Sequence, residues 1–162
     1  MGVKPEISAY LAERAAAGLP QVWQAPLSEI RENTKQHISL KQPLIQIHSV
    51  EHISIQGPTS DLPIRIYRPT NEKNLPALVF FHGGGWVLGD FPTHERFIRD
   101  LVVNSGVAAV YVDYTPSPEV GYGVAINQAY LATKWVAEHG NELNLDGSRL
   151  AVAGNSVGGN MA

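Results

Sequence analysis

The sequence predicts an α/β fold in which an antiparallel hairpin joins a parallel sheet flanked by helices. From Ala77 onward, apolar strand segments alternate with amphipathic helices in the order β-α-β-α-β. That order favours a right-handed parallel sheet with helices on both faces. Ahead of it, residues 45–67 hold two alternating apolar segments separated by a turn, which is typical of a hairpin.

Composition narrows the class of protein. The 162 residues are 44% hydrophobic, enough for one domain with a sizeable core. A net charge of −3 argues against nucleic acid as a partner, and the lack of cysteine excludes disulfides and thiolate metal sites. No His or carboxylate set has metal spacing, so we expect no metal and no other cofactor. No apolar run approaches the ~20 residues of a membrane span and no targeting segment opens the chain, so we expect a cytoplasmic protein.

Two helices precede every strand. The first is predicted over 5–17 and the second over 29–37, with Ser28 as its N-cap. Because they come before the strands, they cannot be crossover helices of the parallel sheet. We therefore expect residues 1–42 to form cap helices and residues 43–162 to form the core of the fold.

The hairpin is predicted from two alternating segments. Ile45–Ile55 alternates with one phase slip near Ser49, which a β-bulge would absorb, and Leu62–Tyr67 alternates again. Residues 57–61 between them carry turn chemistry. The pair is expected to be antiparallel.

Three further strands are short, unbroken apolar runs at 77–81, 107–112 and 149–153. Such runs are expected where both faces of a sheet are covered. The helices between them are predicted over 93–104, capped by Thr93, and over 123–138. Their candidate core residues are Phe97, Ile98, Leu101, Val102, Ile126, Ala129, Tyr130, Thr133, Trp135 and Val136.

The last strand leads into Gly154-x-Ser156-x-Gly158. In a nucleophile elbow of this pattern, the serine lies on a sharp strand-to-helix turn with its Oγ above the sheet. The crowded turn requires residues nearly free of side chains two positions before and after the serine. The helix that follows directs free N–H groups towards the place where an oxyanion would form.

A second glycine-rich turn, His82-Gly-Gly-Gly85-Trp86, follows the strand at 77–81. Three glycines let the backbone approach a substrate and direct N–H groups inward without a Cβ in the way. Lipases and esterases supply a second oxyanion donor from a turn of this kind. Neither turn has the lysine of a P-loop or the Gly-x-Gly-x-x-Gly pattern with a downstream acid, which argues against phosphate binding.

Together with the loop Asp113-Tyr114…Pro118-Glu119, these motifs resemble the hormone-sensitive-lipase-like esterases of the alpha/beta-hydrolase fold. The resemblance covers nearly the whole chain and is firmest over 77–162. It implies a carboxylesterase that acts on short-chain acyl esters, with the N-terminal helices forming part of a cap over the acyl pocket. It also implies a role for each matching residue: Ser156 as nucleophile, the N–H groups of Gly84, Gly85 and Val157 as the oxyanion hole, and His82 as the residue that orients the glycine loop.

Two positions depart from the family pattern. Asn155 precedes the serine where the family usually has Asp, and Ser117 stands where it usually has Ala. The first position is free in the motif, so we expect a shifted hydrogen-bond pattern around Asn155 and intact chemistry. The second departure is minor.

The triad of this fold runs Ser, then Asp or Glu, then His along the chain. Residues 157–162 contain no Asp, Glu or His. We therefore expect the chain to be the N-terminal half of a longer enzyme, with the fold truncated after the elbow and nearly inactive alone. The missing half or a second chain would supply Asp and His.

Other residues have competing interpretations. Surface roles are expected for His37, His48, His52, His94 and His139. Asp113 and Glu119 are expected to pair structurally within their loop. Trp23, Trp86 and Tyr114 either line the acyl pocket or pack in the core, and the sequence favours neither.

Two alternative functions share this fold. A non-catalytic receptor for a small ligand is disfavoured by the complete glycine loop and the retained Ser156. A serine peptidase is disfavoured because the three-glycine loop is a feature of esterases and lipases.

Overall fold

The computed structural model describes residues 2–18, 24–38, 43–57 and 60–162. The chain divides into two compact units, Met1–Asn33 and Thr34–Ala162. The predicted boundary after residue 42 falls outside the described residues and stays a prediction, as does the assignment of the first 42 residues to a cap.

Two helices open the chain, α1 (Pro5–Ala16) and α2 (Leu27–Ile38). No residue of α1 is buried. The prediction that Ser28 caps α2 is wrong, because the Ile30 N–H already donates to the Pro26 carbonyl at 3.1 Å. Ser28 therefore lies within the first turn.

Five strands form one sheet: β1 (Ser49–Ile55), β2 (Leu62–Arg68), β3 (Leu75–Phe81), β4 (Ala108–Val112) and β5 (Leu145–Gly154). Their spatial order is β1-β2-β4-β3-β5. β2 is antiparallel to β1 and β4, and β3 is parallel to both β4 and β5. The predicted fold class, a hairpin joined to a parallel sheet flanked by helices, is confirmed.

The predicted bulge near Ser49 is absent. β1 begins at that residue and pairs in continuous register from Ser49 opposite Arg68 to Ile55 opposite Leu62. The apolar residues 45 and 47 precede the strand, so the phase slip marks its beginning. β5, by contrast, begins earlier than predicted, at Leu145. Its pairing with β3 shifts register between Pro76 and Ala77.

Helices α3 (Phe91–Ser105) and α4 (Tyr122–His139) cover opposite faces of the sheet. Along β4, Ala108, Val110 and Val112 enter the cluster that contains the buried face of α4. Ala109 and Tyr111 enter the cluster that contains Ile98 and Val102 of α3. Burial on both faces explains the unbroken apolar strands. A 3₁₀ turn (Gly140–Leu143) leads to β5, and the short helix α5 (Val157–Met161) follows it.

Three side-chain predictions for these helices are wrong. Asp90, not Thr93, caps α3: its Oδ1 accepts from the Thr93 N–H at 3.2 Å, and Thr93 Oγ1 accepts from the Asp90 N–H at 2.9 Å. Thr93 thus completes a reciprocal capping box. Phe97 and Tyr130 were predicted in the core but are 50% and 66% exposed, because each helix turns a narrower face to the sheet.

Candidate active site

Ser156 lies in the turn between β5 and α5, with φ 53° and ψ −120°. A residue with a side chain rarely adopts this left-handed conformation, which costs on the order of 1–3 kcal/mol. The motif predicted this sharp strand-to-helix turn. The role of Ser156 as nucleophile stays a prediction.

The glycines on either side of Ser156 are required by close backbone contact. A Cβ on Gly154 would overlap the backbone of Gly158, and a Cβ on Gly158 would overlap the carbonyl oxygen of Phe81. A Cβ on Gly159 would lie 3.2 Å from the Gly154 oxygen, a milder conflict. The motif glycines therefore hold α5 against the ends of β3 and β5.

Positive φ angles run through the glycine loop, defined as His82–Trp86. They are 124° at Gly84, 64° at Gly85 and 60° at Trp86. A Cβ on Gly84 would also overlap the carbonyl group of Leu88. The N–H of Leu88 in turn donates to the Gly84 carbonyl oxygen at 2.8 Å. This tight turn requires glycine at position 84, as the predicted oxyanion role also does.

His82 is 1% exposed at the start of the glycine loop. Its Nδ1 lies 2.8 Å from the Gly83 carbonyl oxygen. Because a carbonyl can only accept, Nδ1 carries the proton and donates. Burial lowers the pKa of His82 to about 4, so the ring is neutral at pH 7. These contacts support the predicted orienting role of His82, which stays a prediction.

Asn155 connects the serine turn to the glycine loop. Its Oδ1 accepts a hydrogen bond from the Gly83 N–H at 2.8 Å, across 72 residues of sequence. The two glycine-rich turns, predicted separately, are therefore adjacent. Position 155 is free in the motif, so this contact was not predicted from the sequence. No local pattern signals the contact, because the two residues are 72 residues apart in the sequence.

The loop after β4, residues 113–118, holds both ends of the glycine loop. The Tyr114 hydroxyl donates to the His82 carbonyl at 2.9 Å, and the Ser117 N–H donates to the Trp86 carbonyl at 2.7 Å. The rings of Tyr114 and His82 are stacked with centroids 4.2 Å apart. These roles were not predicted from the sequence. Parallel neighbours such as β3 and β4 end at one edge of the sheet, so contact between their following loops was foreseeable.

Several described histidines are engaged elsewhere. His52 packs its ring 5.9 Å from Phe91, and His139 Nδ1 lies 2.9 Å from a carboxylate oxygen of Glu142. His94, in the first turn of α3, is partly buried with its ring 5.4 Å from His82, and its predicted surface role stays a prediction. Burial also lowers the pKa of His94. The side chain of His37 lies outside the described side chains.

Asp113 forms an ion pair with Arg65 of β2 at 3.5 Å. Burial raises the pKa of Asp113, and the Arg65 guanidinium opposes that rise. This pairing agrees with the predicted structural role, although the partner is on a strand and not in the loop.

The aromatic candidates for the acyl pocket differ in their surroundings. Tyr114 is 2% exposed and packs in the main cluster, which favours the core interpretation. Trp86 is half-buried, and its ring meets Tyr122 edge-on at 5.1 Å. Trp23 lies outside the described residues.

Within 2–18, 24–38, 43–57 and 60–162, no group of three or more His, Cys, Asp or Glu could hold a metal ion. In the same ranges no helix is both long and apolar enough to span a membrane.

Known proteins resemble this chain in sequence and in structure. A family model described as the alpha/beta hydrolase fold matches residues 78–162. The chain is 41% identical over 125 residues to the esterase LipI of Mycobacterium tuberculosis, an alignment that covers 75% of this chain and 39% of LipI. It is 43% identical over 104 residues to the carboxylesterase NlhH of the same species, covering 64% of this chain and 33% of NlhH.

Among solved structures, a thermostable esterase from Pseudomonas putida superposes with a TM-score of 0.93 at 53% identity. The match covers 99% of this chain and 51% of that protein. The chain thus spans about half the length of this structure and 39% or less of these two curated relatives.

Proposed function

The chain belongs to the hormone-sensitive-lipase-like esterases of the alpha/beta-hydrolase family, and from that membership we propose that it carries the nucleophile half of a carboxylic ester hydrolase. The substrate class is short-chain acyl esters of small molecules. The observation that carries the proposal is the Asn155–Gly83 hydrogen bond, because it joins the strained serine turn to the glycine loop.

Each residue then has a role in acyl transfer. Ser156 Oγ attacks the ester carbonyl and forms a tetrahedral intermediate. The N–H of Val157, the first residue of α5, stabilises the oxyanion together with the N–H groups of Gly84 and Gly85. His82 holds the loop and does not act as the base, because its Nδ1–H is bonded to Gly83 and its ring is stacked on Tyr114.

The proton of Ser156 goes to a histidine outside residues 1–162, oriented by an Asp or Glu that also lies outside them. Loss of the triad histidine alone reduces turnover by a factor on the order of 10⁶. The 162 residues alone are therefore expected to be nearly inactive. Activity belongs to the longest natural chain that contains them, here called the full-length protein.

Fluorophosphonate labelling and hydrolysis of a short-chain chromogenic ester test the proposal. The full-length protein should be labelled on Ser156 and should hydrolyse the ester, and Ser156→Ala should abolish both. Ser8→Ala, which changes an exposed serine of α1, is the matched control and should change neither.

Three outcomes would contradict the proposal or part of it. A full-length protein that binds small ligands but is not labelled would be a receptor. Faster cleavage of peptide amides than of esters would indicate a peptidase. Rapid Ser156-dependent hydrolysis by residues 1–162 alone would show that the base lies within them.

A further inference from the structure

Gln128 is a buried polar residue that the proposed mechanism does not use. It is 4% exposed on the otherwise apolar face of α4, beside Ala125, Ala129 and Ala132. Burial of an amide is unfavourable unless its hydrogen bonds are made. If position 128 served packing alone, an apolar side chain there would cost less free energy than a buried amide.

Both ends of the Gln128 amide bind one residue. Oε1 accepts from the Thr115 N–H at 2.8 Å, and Nε2 donates to Thr115 Oγ1 at 3.1 Å. Thr115 lies in the loop 113–118, which has no regular secondary structure up to Pro116. The paired bonds fix this segment of backbone against α4.

The same loop holds the glycine loop at both ends. Tyr114, the residue before Thr115, donates to the His82 carbonyl at 2.9 Å. Ser117, two residues after Thr115, donates to the Trp86 carbonyl at 2.7 Å. Gly84 and Gly85 lie between the two carbonyls that are held. Displacement of Thr115 would therefore release both ends of the segment that carries the predicted oxyanion donors.

We propose that Gln128 is a positioning residue for the oxyanion hole and acts through Thr115 on the glycine loop. The inference rests on the proposed esterase function. Oxyanion donors act mainly on the transition state, so their misplacement lowers kcat more than it raises KM. A displacement of about 1 Å can reduce the rate on the order of 100-fold.

Kinetics of the full-length protein provide the first test. Gln128→Met removes both bonds at similar side-chain length and should lower kcat about tenfold or more, with KM within about twofold. Gln128→Glu should restore most of kcat, because a neutral carboxyl offers the same acceptor and donor to Thr115. Asn127→Ala, on the exposed face of the same helix, is the matched control and should leave kcat unchanged.

Hydrogen–deuterium exchange of residues 82–88 provides a test that needs no activity. Exchange there should accelerate in Gln128→Met and not in Asn127→Ala, with α3 as an internal reference. If Gln128→Met does not fold, Thr115→Val removes the Oγ1 acceptor alone and should show a smaller effect of the same kind.

The two proposals can fail separately. A wild-type protein whose Ser156 does not react refutes the esterase function. In that case, hydrogen–deuterium exchange at residues 82–88 still tests whether Gln128 positions the glycine loop. A Gln128→Met variant with reduced thermal stability but unchanged kcat and unchanged exchange at 82–88 makes Gln128 purely structural and overturns the inference.

Discussion

Asn155 and His82 show how single side chains set the geometry of the glycine loop. The Asn155 carboxamide accepts from the Gly83 N–H, and the His82 ring donates to the Gly83 carbonyl. The peptide group before Gly83 is thus held by a side chain that follows β5. The peptide group after Gly83 is held by a side chain that follows β3. Since an amide and a carboxylate both offer an oxygen acceptor, Asn155 can make this contact where the family usually has Asp.

Burial of His82 also makes the fold sensitive to acid. Its pKa is about 4 in the folded protein and 6.5 in the unfolded chain. Below pH 6.5 the unfolded state binds the extra proton, so stability is lost as the pH falls from 6.5 towards 4. The loss from this residue is up to about 3 kcal/mol, and there is none above pH 7.

Urea unfolding of the full-length protein at pH 7 and pH 4 measures this effect. The free energy of unfolding should fall further in the wild type than in His82→Gln, which has no titrating ring at that position. Equal pH dependence of the two proteins would show that His82 is not a buried neutral histidine.

At the scale of elements, the position of α5 depends on glycine at 154 and 158, where a side chain would not fit. Gly158 meets the Phe81 carbonyl of β3, so the helix begins in direct contact with the backbone of that strand. That contact sets where Ser156 and the Val157 N–H lie relative to the glycine loop, which begins one residue after Phe81. Gly159, one residue further along, has more space.

The neighbouring glycines therefore form a matched pair of substitutions. Gly158→Ala should lower the free energy of unfolding by about 1–3 kcal/mol, because the methyl group forces the backbone to shift. It should also reduce ester hydrolysis at least about 100-fold through displacement of the serine turn. Gly159→Ala should change the free energy of unfolding by less than about 1 kcal/mol. Urea unfolding and ester assays of both variants check this, and equal effects would contradict the proposed close contact.

At the scale of the whole molecule, the sheet is covered unevenly. β3 and β4 are buried on both faces, whereas β5 pairs with β3 and has no second partner among the described residues. Val152 of β5 is 39% exposed. An apolar strand with an unpaired edge can pair with another chain.

The 162-residue chain is accordingly expected to self-associate through β5. Val152→Lys should reduce the associated fraction severalfold, because a lysine on an edge strand opposes pairing. Val103→Lys adds the same charge on the exposed side of α3 and should have little effect. Sedimentation velocity across a range of concentrations measures both, and unchanged association in Val152→Lys would place the contact elsewhere.

Local patterns in the sequence determined the fold class, the strands and the family. Unbroken apolar runs indicate burial on both faces, and Gly154 and Gly84 stand where nearby backbone, that of Gly158 and Leu88, leaves no space for a Cβ. These requirements act within a few residues of the chain, so they can be inferred from the order of residues. The strained turn at Ser156 was predicted for the same reason.

Only the tertiary structure decided which side chains join the strand ends. The bonds from Asn155 to Gly83 and from Tyr114 to His82 span 72 and 32 residues of sequence, and the strand order brings these partners together. The narrow buried faces of α3 and α4, which left Phe97 and Tyr130 exposed, were likewise set by packing against the sheet. Such contacts depend on the relative placement of elements, which periodicity within one element does not specify.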